Sequence, residues 1–323
     1  MTPQLITRRT LLGSTLTGAA ALAAAPAIAA APMLGQMRPV ASRVKLGAFE
    51  VTAILDGAVT FGGPHPVFGG NVPKEDVQAL AAANHLPTEQ MEISFTPIVV
   101  NTGKHLILFD TGNGAAAQPG RGNLIAGLAA AGYAPGDVDI VVITHMHPDH
   151  IGGLMQDGAP AFPNASYVTG AAEYDFWSPE DRLTGPTARV AGMVQSSLVK
   201  LAAQTRYIKP GDAVASGIEA VDASGHTPGQ LAFHIESEGA RMMLIADVAN
   251  HFALSLQRPD WHLSFDMDKD AAVARRKEIL GMIAADGIPF AGYHMPFPAM
   301  GWLEAKGDGY SFAPASYQFT HQG

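Results

Sequence analysis

Residues 144–153 read Thr-His-Met-His-Pro-Asp-His-Ile-Gly-Gly and place three imidazoles and one carboxylate within six consecutive positions. The apolar run 138–143 precedes them, so these side chains stand at the end of a predicted buried strand. Without a cation, such a cluster would be costly to desolvate, and its rings would repel one another if protonated. Pro148 and the two glycines allow a sharp turn, so neighbouring side chains can face one centre. The stretch therefore predicts a metal site rather than a solvated polar loop.

Three more candidate ligands follow apolar segments in the second half of the chain. They are His226 in a Gly-His-Thr-Pro-Gly turn, Asp247 after Leu-Ile-Ala, and His294 after Phe-Ala-Gly-Tyr. The chain contains no cysteine, which excludes thiolate ligands and disulfides. A metal would have to be held by nitrogen and oxygen atoms, which suit several divalent ions.

The apolar patterning predicts strands that alternate with helices. Segment 44–55 reads as a strand pair or as one long bent strand, and two later hairpins end at Asp110 and Asp247. Helices are predicted at 74–83, at 124–131 and around 273–283, the last with residues 275–278 largely on its exposed side, and a final strand is predicted at 290–293. This alternation predicts two packed β-sheets with helices outside them.

The signature at 145–150 has the form H-x-H-x-D-H and resembles that of the metallo-β-lactamase superfamily. The resemblance extends from about Val44 to the end of the chain, and the remaining ligands of that family follow in the expected order. It implies an α/β fold, the αβ/βα four-layer sandwich, in which two mixed β-sheets are flanked by helices. The metals would lie at the edge where the two sheets meet.

The resemblance also implies a ligand set for two divalent ions. The first ion would be held by His145, His147, His226 and Asp247, and the second by Asp149, His150, His294 and Asp247. Asp110 matches a family aspartate that supports the metal loops. Zinc is the expected metal, with manganese, cobalt and iron left open.

A hydrolytic reaction follows from two such ions. They lower the pKa of a water held between them from 15.7 toward about 7, so hydroxide is available at neutral pH. Asp149 and Asp247 are the expected catalytic carboxylates, because either could accept a proton as the reaction proceeds. No Ser-His-Asp set or cysteine nucleophile is evident. An iron-dependent redox enzyme of this fold and a non-catalytic metal-binding protein are the rival classes.

The whole chain is most similar to a branch of exported lactonases, arylesterases and organophosphate hydrolases that includes methyl parathion hydrolase. The similarity lies in residues 110–112, 131–133, 161–165, 175–177 and 306–310. In that branch a second pocket aromatic follows Asp-Thr-Gly, whereas this chain has three alanines at 115–117, which puts phosphotriester hydrolysis in doubt. Lactones or aryl esters are therefore the first expectation, and organophosphate triesters the second.

The expected substrate is a small, neutral, apolar molecule. Aromatic residues are frequent near the ligands in sequence, whereas cations are few. The substrate contacts are predicted to be Phe68, Trp177, His251, Phe252 and Phe297, and Trp177 matches a pocket aromatic of the resembled branch.

Export is predicted from the N-terminus. Arg8 and Arg9 precede a weakly apolar stretch and then Ala-Ile-Ala, which predicts a twin-arginine-type signal peptide over 1–31 and a periplasmic or secreted protein. The stretch is shorter than the ~20 apolar residues of a membrane span, so no stable membrane insertion is expected after the leader is removed. Residues 32–323 are predicted to form a single hydrolase domain. The net charge of -9 disfavours nucleic acid as a partner, and the resemblance implies a homodimer.

Overall fold

The predicted strands form the two sheets of the fold, which a computed structural model describes over residues 31–35 and 37–318. Within the described residues, a compact unit begins at Pro39. The predicted signal peptide lies outside the described residues, apart from Ala31. None of the helices in the described part has the length and apolar character that a bilayer span needs.

The described residues form 18 strands and six α-helices. The strands are β1 (Ala41–Leu46), β2 (Phe49–Ile54), β3 (Gly57–Gly62), β4 (Gln90–Phe95), β5 (Ile98–Asn101), β6 (Leu106–Phe109), β7 (Ile140–Ile143), β8 (Met155–Gln156), β9 (Ala159–Pro160), β10 (Ser166–Gly170), β11 (Thr205–Ile208), β12 (Ala213–Ala215), β13 (Ile218–Asp222), β14 (Leu231–Ser237), β15 (Ala240–Ala246), β16 (Phe290–Gly292), β17 (Met300–Lys306) and β18 (Gly309–Pro314). The α-helices are α1 (Lys74–Ala83), α2 (Leu124–Ala130), α3 (Pro148–Ile151), α4 (Ala171–Trp177), α5 (Ala188–Ser196) and α6 (Lys269–Asp286).

Two seven-stranded sheets carry the fold. Their strand orders are β1-β2-β5-β6-β7-β10-β11 and β12-β13-β14-β15-β16-β17-β18. Strands β6, β7, β10 and β11 run parallel, as do β15 and β16, and the other neighbours in these sheets are antiparallel. Both sheets are thus mixed, as predicted. The remaining strands form two antiparallel two-stranded sheets, β3-β4 and β8-β9.

The central strand β7 shows why the sheets are covered on both faces. Val142 belongs to the core between the two sheets, whereas Val141 and Ile143 belong to the core under the helices α2 and α5. A strand buried on both faces needs a continuous apolar run, because successive side chains point to opposite sides. Across the inter-sheet core, the rings of Phe109 and Phe233 meet edge to face at 5.1 Å.

The helix α6 covers the outer face of the second sheet. Asp268 caps its N-terminus by accepting the Ala271 N–H at 3.0 Å, and Gly287 ends it with φ of 63°. Ile279 and Ile283 pack on the sheet through a third core cluster. With helices outside both sheets, the layers form the predicted αβ/βα sandwich.

The structure corrects two of the predicted elements. Strand β16 is not the last, because β17 and β18 follow it as a hairpin that turns at Gly307, where φ is 58°. In α6, Arg276 is buried rather than exposed, because its guanidinium is bound by a carboxylate and three backbone carbonyls. Segment 44–55 forms a strand pair.

Candidate metal centre

The ends of the central strands bring the predicted ligands to one edge of the fold. His145 follows β7 directly, and His147 precedes the single turn of α3, which carries Asp149 and His150. Pro148 occupies the first position of that turn, where its missing N–H costs no hydrogen bond. The local sequence therefore turns the chain sharply enough for all four side chains to face the sheet edge.

The other three ligands come from the second sheet. His226 lies in the loop between β13 and β14, Asp247 follows β15, and His294 lies two residues beyond β16. Because β15 and β16 are parallel neighbours, their carboxyl ends lie at the same edge. The pairing thus places Asp247 and His294 together despite their distance in sequence.

The seven side chains form two overlapping groups of four. The groups are His145, His147, His226 and Asp247, and Asp149, His150, Asp247 and His294, with the candidate ligand atoms of each group within 4.8 Å of one another. Asp247 belongs to both. Its Oδ2 lies 3.0 Å from His294 Nε2 and 3.3 Å from His226 Nε2. This is the arrangement that the sequence predicted for two ions.

The donor atoms fit divalent cations. His145 Nε2, His150 Nε2 and Asp247 Oδ1 are buried and have no hydrogen-bond partner in the described part of the protein. A buried polar atom without a partner costs about 1–3 kcal/mol. Three such atoms from both groups converge on one place, which indicates that a cation completes the site. Imidazole and carboxylate donors suit zinc as well as manganese, cobalt and iron.

The electrostatics keep two of the imidazoles neutral. Burial and the neighbouring His150 hold the pKa of His145 well below its ordinary value, and burial with His226 lowers the pKa of His147 to about 3. A neutral imidazole offers the lone pair that a metal requires. In the first group, His145 and His147 are therefore neutral. Against the effect of burial, hydrogen bonds with Asp247 and Asp266 raise the pKa of His226 to about 9, so a cation must displace its proton.

Asp110 supports both the strand end and one ligand. It lies buried after β6 with φ of 62°, accepts the Thr144 N–H and hydroxyl at 2.9 Å, and contacts His150 Nδ1 at 2.8 Å. These contacts orient the His150 ring so that Nε2 faces the ligand group. The position agrees with the supporting role that the resemblance implied.

Asp266 supports His226 in the same way, and the sequence did not reveal it. Its Oδ1 lies 2.8 Å from His226 Nδ1, and its Oδ2 accepts from the buried Arg276 at 2.9 Å. Arg276 also donates to the carbonyls of Val248, Pro259 and Trp261. In sequence, both residues lie in polar stretches that resemble an exposed loop and a solvated helix face, so no local signal marks them.

Replacing Asp266 with asparagine should weaken metal binding at the first group. The amide oxygen can face either Arg276 or His226 but not both, and facing Arg276 turns the NH2 toward His226 Nδ1. That favours the imidazole tautomer with a proton on Nε2, which cannot bind a cation. We expect about 10-fold weaker binding of one ion, measured by zinc titration against a chromophoric chelator. Wild-type affinity for both ions would contradict this role.

A cavity of about 400 Å3 opens on the ligands. Its apolar wall comes mainly from the two-stranded β3-β4 sheet and consists of Val59, Phe61, Ile93, Phe95 and Phe265. Its other lining side chains include Asn113, Arg121, Arg189 and Asn250. The sequence predicted few cations near the ligands, and two arginines line the cavity.

The predicted substrate contacts do not line this cavity. Phe68 and Trp177 are 2% exposed and pack in two different apolar cores, and Trp177 Nε1 donates to Glu173 Oε1 at 2.9 Å. His251 and Phe252 line a second cavity of about 420 Å3. Phe297 packs against the core between the sheets. Phe68, Trp177 and Phe297 thus contribute to apolar cores, whereas His251 and Phe252 face a different cavity.

Comparisons with known proteins agree with this geometry. Residues 96–279 match the family model of the metallo-β-lactamase superfamily. The structure of AidC, a dizinc quorum-quenching lactonase bound to a hexanoyl-homoserine product, superposes with a TM-score of 0.79, 26% identity and coverage of 86% of this chain and 98% of that one. The hydrolase AbOPH superposes with a TM-score of 0.80, 27% identity and coverage of 87% and 99%.

Curated relatives match over shorter segments. Metallo-beta-lactamase domain-containing protein 1 of Mus musculus is 45% identical over 74 residues, which are 23% of this chain and 24% of that protein. N-acyl homoserine lactonase AttM of Agrobacterium fabrum is 24% identical over 124 residues, 36% of this chain and 43% of its own length. The chain thus matches well under two thirds of each of these relatives. The family model covers more than half of the chain and shows that the chain belongs to the metallo-β-lactamase superfamily.

Proposed function

We propose that this protein is a hydrolase that holds two divalent ions and opens lactones that carry an apolar chain. The observation that carries the proposal is the pair of ligand groups that share Asp247 and open on a cavity with one apolar wall. When bound, divalent ions act as Lewis acids on a carbonyl oxygen and lower the pKa of water toward about 7. The side chains described above hold the ions, and the cavity residues bind the substrate.

Asp149 and Asp247, the two carboxylates of the ligand groups, have different roles in the proposed reaction. Asp247 Oδ2 accepts the Asn250 side-chain N–H at 2.8 Å and lies near His226 and His294, and its Oδ1 lies 3.2 Å from His150 Nε2, so both oxygens face the ligand groups. Asp149 also lines the cavity and is partly exposed there. We assign to Asp149 the acceptance of a proton from the attacking water and its transfer to the ring oxygen that is released when the ring opens, and to Asp247 the alignment of both groups.

The cavity wall supports a substrate with an apolar chain and a polar head. Phe61, Phe95 and Phe265 offer a surface on which an acyl or aryl group can be buried, at about 25 cal/mol for each Å2 of apolar area. Arg121 and Asn113 supply donors for acceptor oxygens at the same cavity. The similarity to AidC, whose structure contains an acylated homoserine, supports this division. Aryl esters, with the same reacting carbonyl, are the second candidate because the wall is largely aromatic.

Asp56 holds the loop that presents these donors. This buried carboxylate accepts the backbone N–H groups of Asn113, Gly122 and Leu124 at 2.9 to 3.1 Å. The loop after the Asp-Thr-Gly sequence is therefore anchored at both ends. Its alanines at 115 and 116 face a separate surface pocket, so Arg121 and Asn113 are its contributions to the metal cavity.

Three sequence-based expectations accompany this proposal and stay predictions. They are export through the twin-arginine-type leader, assembly as a homodimer, and a small molecule rather than nucleic acid as the partner. The leader is tested by fractionation of cells that express the full chain and a variant with Arg8 and Arg9 replaced by lysine.

Hydrolysis by the metal-loaded protein tests the proposed function. N-butanoyl and N-decanoyl homoserine lactones, 4-nitrophenyl acetate and a phosphotriester are offered to the protein as purified, after chelation, and after zinc, manganese, cobalt or ferrous ion is restored. We expect lactone opening, faster for the longer chain, that falls more than about 100-fold on chelation and returns with metal. Ester cleavage without lactone opening would favour the arylesterase. Loaded protein that cleaves none of the panel would contradict a hydrolytic role on these substrates.

A further inference from the structure

A buried carboxylate outside the ligand groups links the two loops that supply three of the imidazoles. Glu173 lies in α4, has no solvent exposure, and accepts four hydrogen bonds. Its Oε1 accepts from the Met146 N–H at 2.8 Å and from Trp177 Nε1 at 2.9 Å. Its Oε2 accepts from the Thr227 hydroxyl at 2.8 Å and from the Gly229 N–H at 2.9 Å.

The donors flank metal ligands on two separate loops. Met146 stands between His145 and His147, and Thr227 directly follows His226. One carboxyl group therefore connects the loop after β7 with the loop before β14, although 54 residues separate Glu173 from Thr227. At the site itself, the rings of His147 and His226 approach to 2.9 Å between Nδ1 and Nε2.

The link requires a close approach of backbones. A Cβ atom at Gly229 would lie 2.1 Å from the Glu173 nitrogen, a distance that no side chain tolerates. Glycine at this position thus lets its N–H reach the carboxylate. The tight fit determines how far the His226 loop stands from α4.

General stability does not require a charged group at this place. An ion moved out of water costs several kcal/mol even in real proteins, and apolar replacements of buried ionic groups are often neutral or stabilising. Burial accordingly raises the pKa of Glu173, against the effect of its four donors. What the carboxylate adds over an apolar side chain is directional contact with both loops.

We propose that Glu173 is a positioning residue that holds the His145–His147 loop and the His226 loop at the separation required by one metal ion. The inference rests on the proposed metal centre but not on the identity of the substrate. It assigns to Glu173 the first ligand group, because two of its donors directly flank His145, His147 and His226, whereas Asp149 and His150 lie beyond Pro148 in α3.

The replacement Glu173→Gln tests this role with little change in volume. An amide accepts through only one of its two terminal atoms. The Thr227 hydroxyl can reverse and accept, whereas Met146, Trp177 and Gly229 can only donate. The NH2 group should therefore turn toward Thr227 and leave the Gly229 N–H without an acceptor. We expect the His226 loop to shift and one ion to bind more weakly.

Two further variants isolate the link to the loops. Trp177→Phe removes one donor to the same carboxylate without touching either loop, and so serves as the matched control. Thr227→Val removes only the hydroxyl bond to the His226 loop and covers the case in which Glu173→Gln fails to fold. Zinc affinity is measured by competition with a chromophoric chelator, cobalt coordination by visible absorption, and stability by thermal unfolding of the metal-free proteins.

The expected result is that Glu173→Gln binds one ion about 10-fold more weakly, with a changed cobalt spectrum, while the other ion binds as in wild type. Thr227→Val should show a smaller loss in the same ion, and Trp177→Phe should keep both affinities. Equal zinc affinities in all variants would overturn the proposal. So would losses of zinc affinity that merely parallel the drop in unfolding temperature in every variant, Trp177→Phe included. Wild-type protein that binds no ion would instead overturn the metal centre itself.

Discussion

Replacing Asp247 with alanine should abolish the binding of two ions per chain and reduce kcat/KM for any substrate by more than about 100-fold, since loss of a mere supporting residue costs 10–100-fold. Asp247 is the one residue common to both ligand groups. Its Oδ1 lies 3.2 Å from His150 Nε2, and its Oδ2 approaches His226 and His294. The other carboxylate of the two groups, Asp149, belongs to the second group alone, so loss of Asp247 leaves the first group with three imidazoles.

The loss has a second physical cause. The imidazoles of His145, His150 and His226 crowd together, with ring centroids of His145 and His150 only 4.0 Å apart. Their mutual repulsion on protonation is opposed by the negative charge of Asp247. Without that charge the rings should separate, so the remaining ligands lose their alignment as well.

Metal analysis by mass spectrometry and activity on the best substrate of the panel measure this effect. Asp286→Ala is the matched control, because it removes an aspartate whose contact with Arg241 lies at the surface, with both side chains 40% exposed. Such an exposed pair contributes about 0–1 kcal/mol, so that variant should behave like wild type. An Asp247→Ala protein with two ions per chain would show that the carboxylate is not shared between them.

The ligand set could be predicted because each ligand stands beside a local signal. The cluster at 145–150 is contiguous, and Asp247 and His294 each follow a short apolar strand. Parallel pairing then brings strand ends to one edge, which is a general property of such sheets rather than a detail of this chain. The four-layer architecture follows from the same strands, since β7 is apolar on both faces.

The substrate cavity could not be predicted in the same way. Its apolar wall is mainly the two-stranded sheet of β3 and β4. A loop and α1 separate these strands along the chain, so Val59 and Ile93 become neighbours only in three dimensions. Trp177 illustrates the opposite error, since a tryptophan that matches a pocket aromatic of the resembled branch packs in the core. Nothing in a local pattern separates an aromatic that fills a core from one that lines a cavity.

The buried charges were missed for an energetic reason. Arg276 and Asp266 are polar in sequence, and charged residues are almost never fully buried unless they are paired. Only the folded chain shows that they pair at 2.9 Å and hold His226. Support of this kind is distributed over distant segments, so the ligands themselves are easier to recognise than the residues that orient them.

Replacing Asp110 with alanine should weaken the binding of one metal ion and lower the stability of the fold. Three contacts converge on this carboxylate, from the Thr144 N–H, the Thr144 hydroxyl and His150 Nδ1. Leaving buried donors without an acceptor costs about 1–3 kcal/mol, so we expect the free energy of unfolding of the metal-free protein to fall by about 3 kcal/mol. The ion held by Asp149, His150, Asp247 and His294 should bind up to about 100-fold more weakly, because the His150 ring is no longer held in one orientation.

Asparagine at the same position separates these two effects. Its oxygen can still accept the Thr144 N–H, but its NH2 then faces His150 Nδ1, which must accept rather than donate. The proton moves to Nε2, the atom that lies nearest to Asp247. Asp110→Asn should therefore retain most of the stability that Asp110→Ala loses, yet bind the second ion as weakly. Denaturant unfolding and zinc competition measure both quantities on the same samples. If Asp110→Asn keeps wild-type zinc affinity, the orientation of His150 does not depend on Asp110, and the aspartate serves only to bind the end of β7.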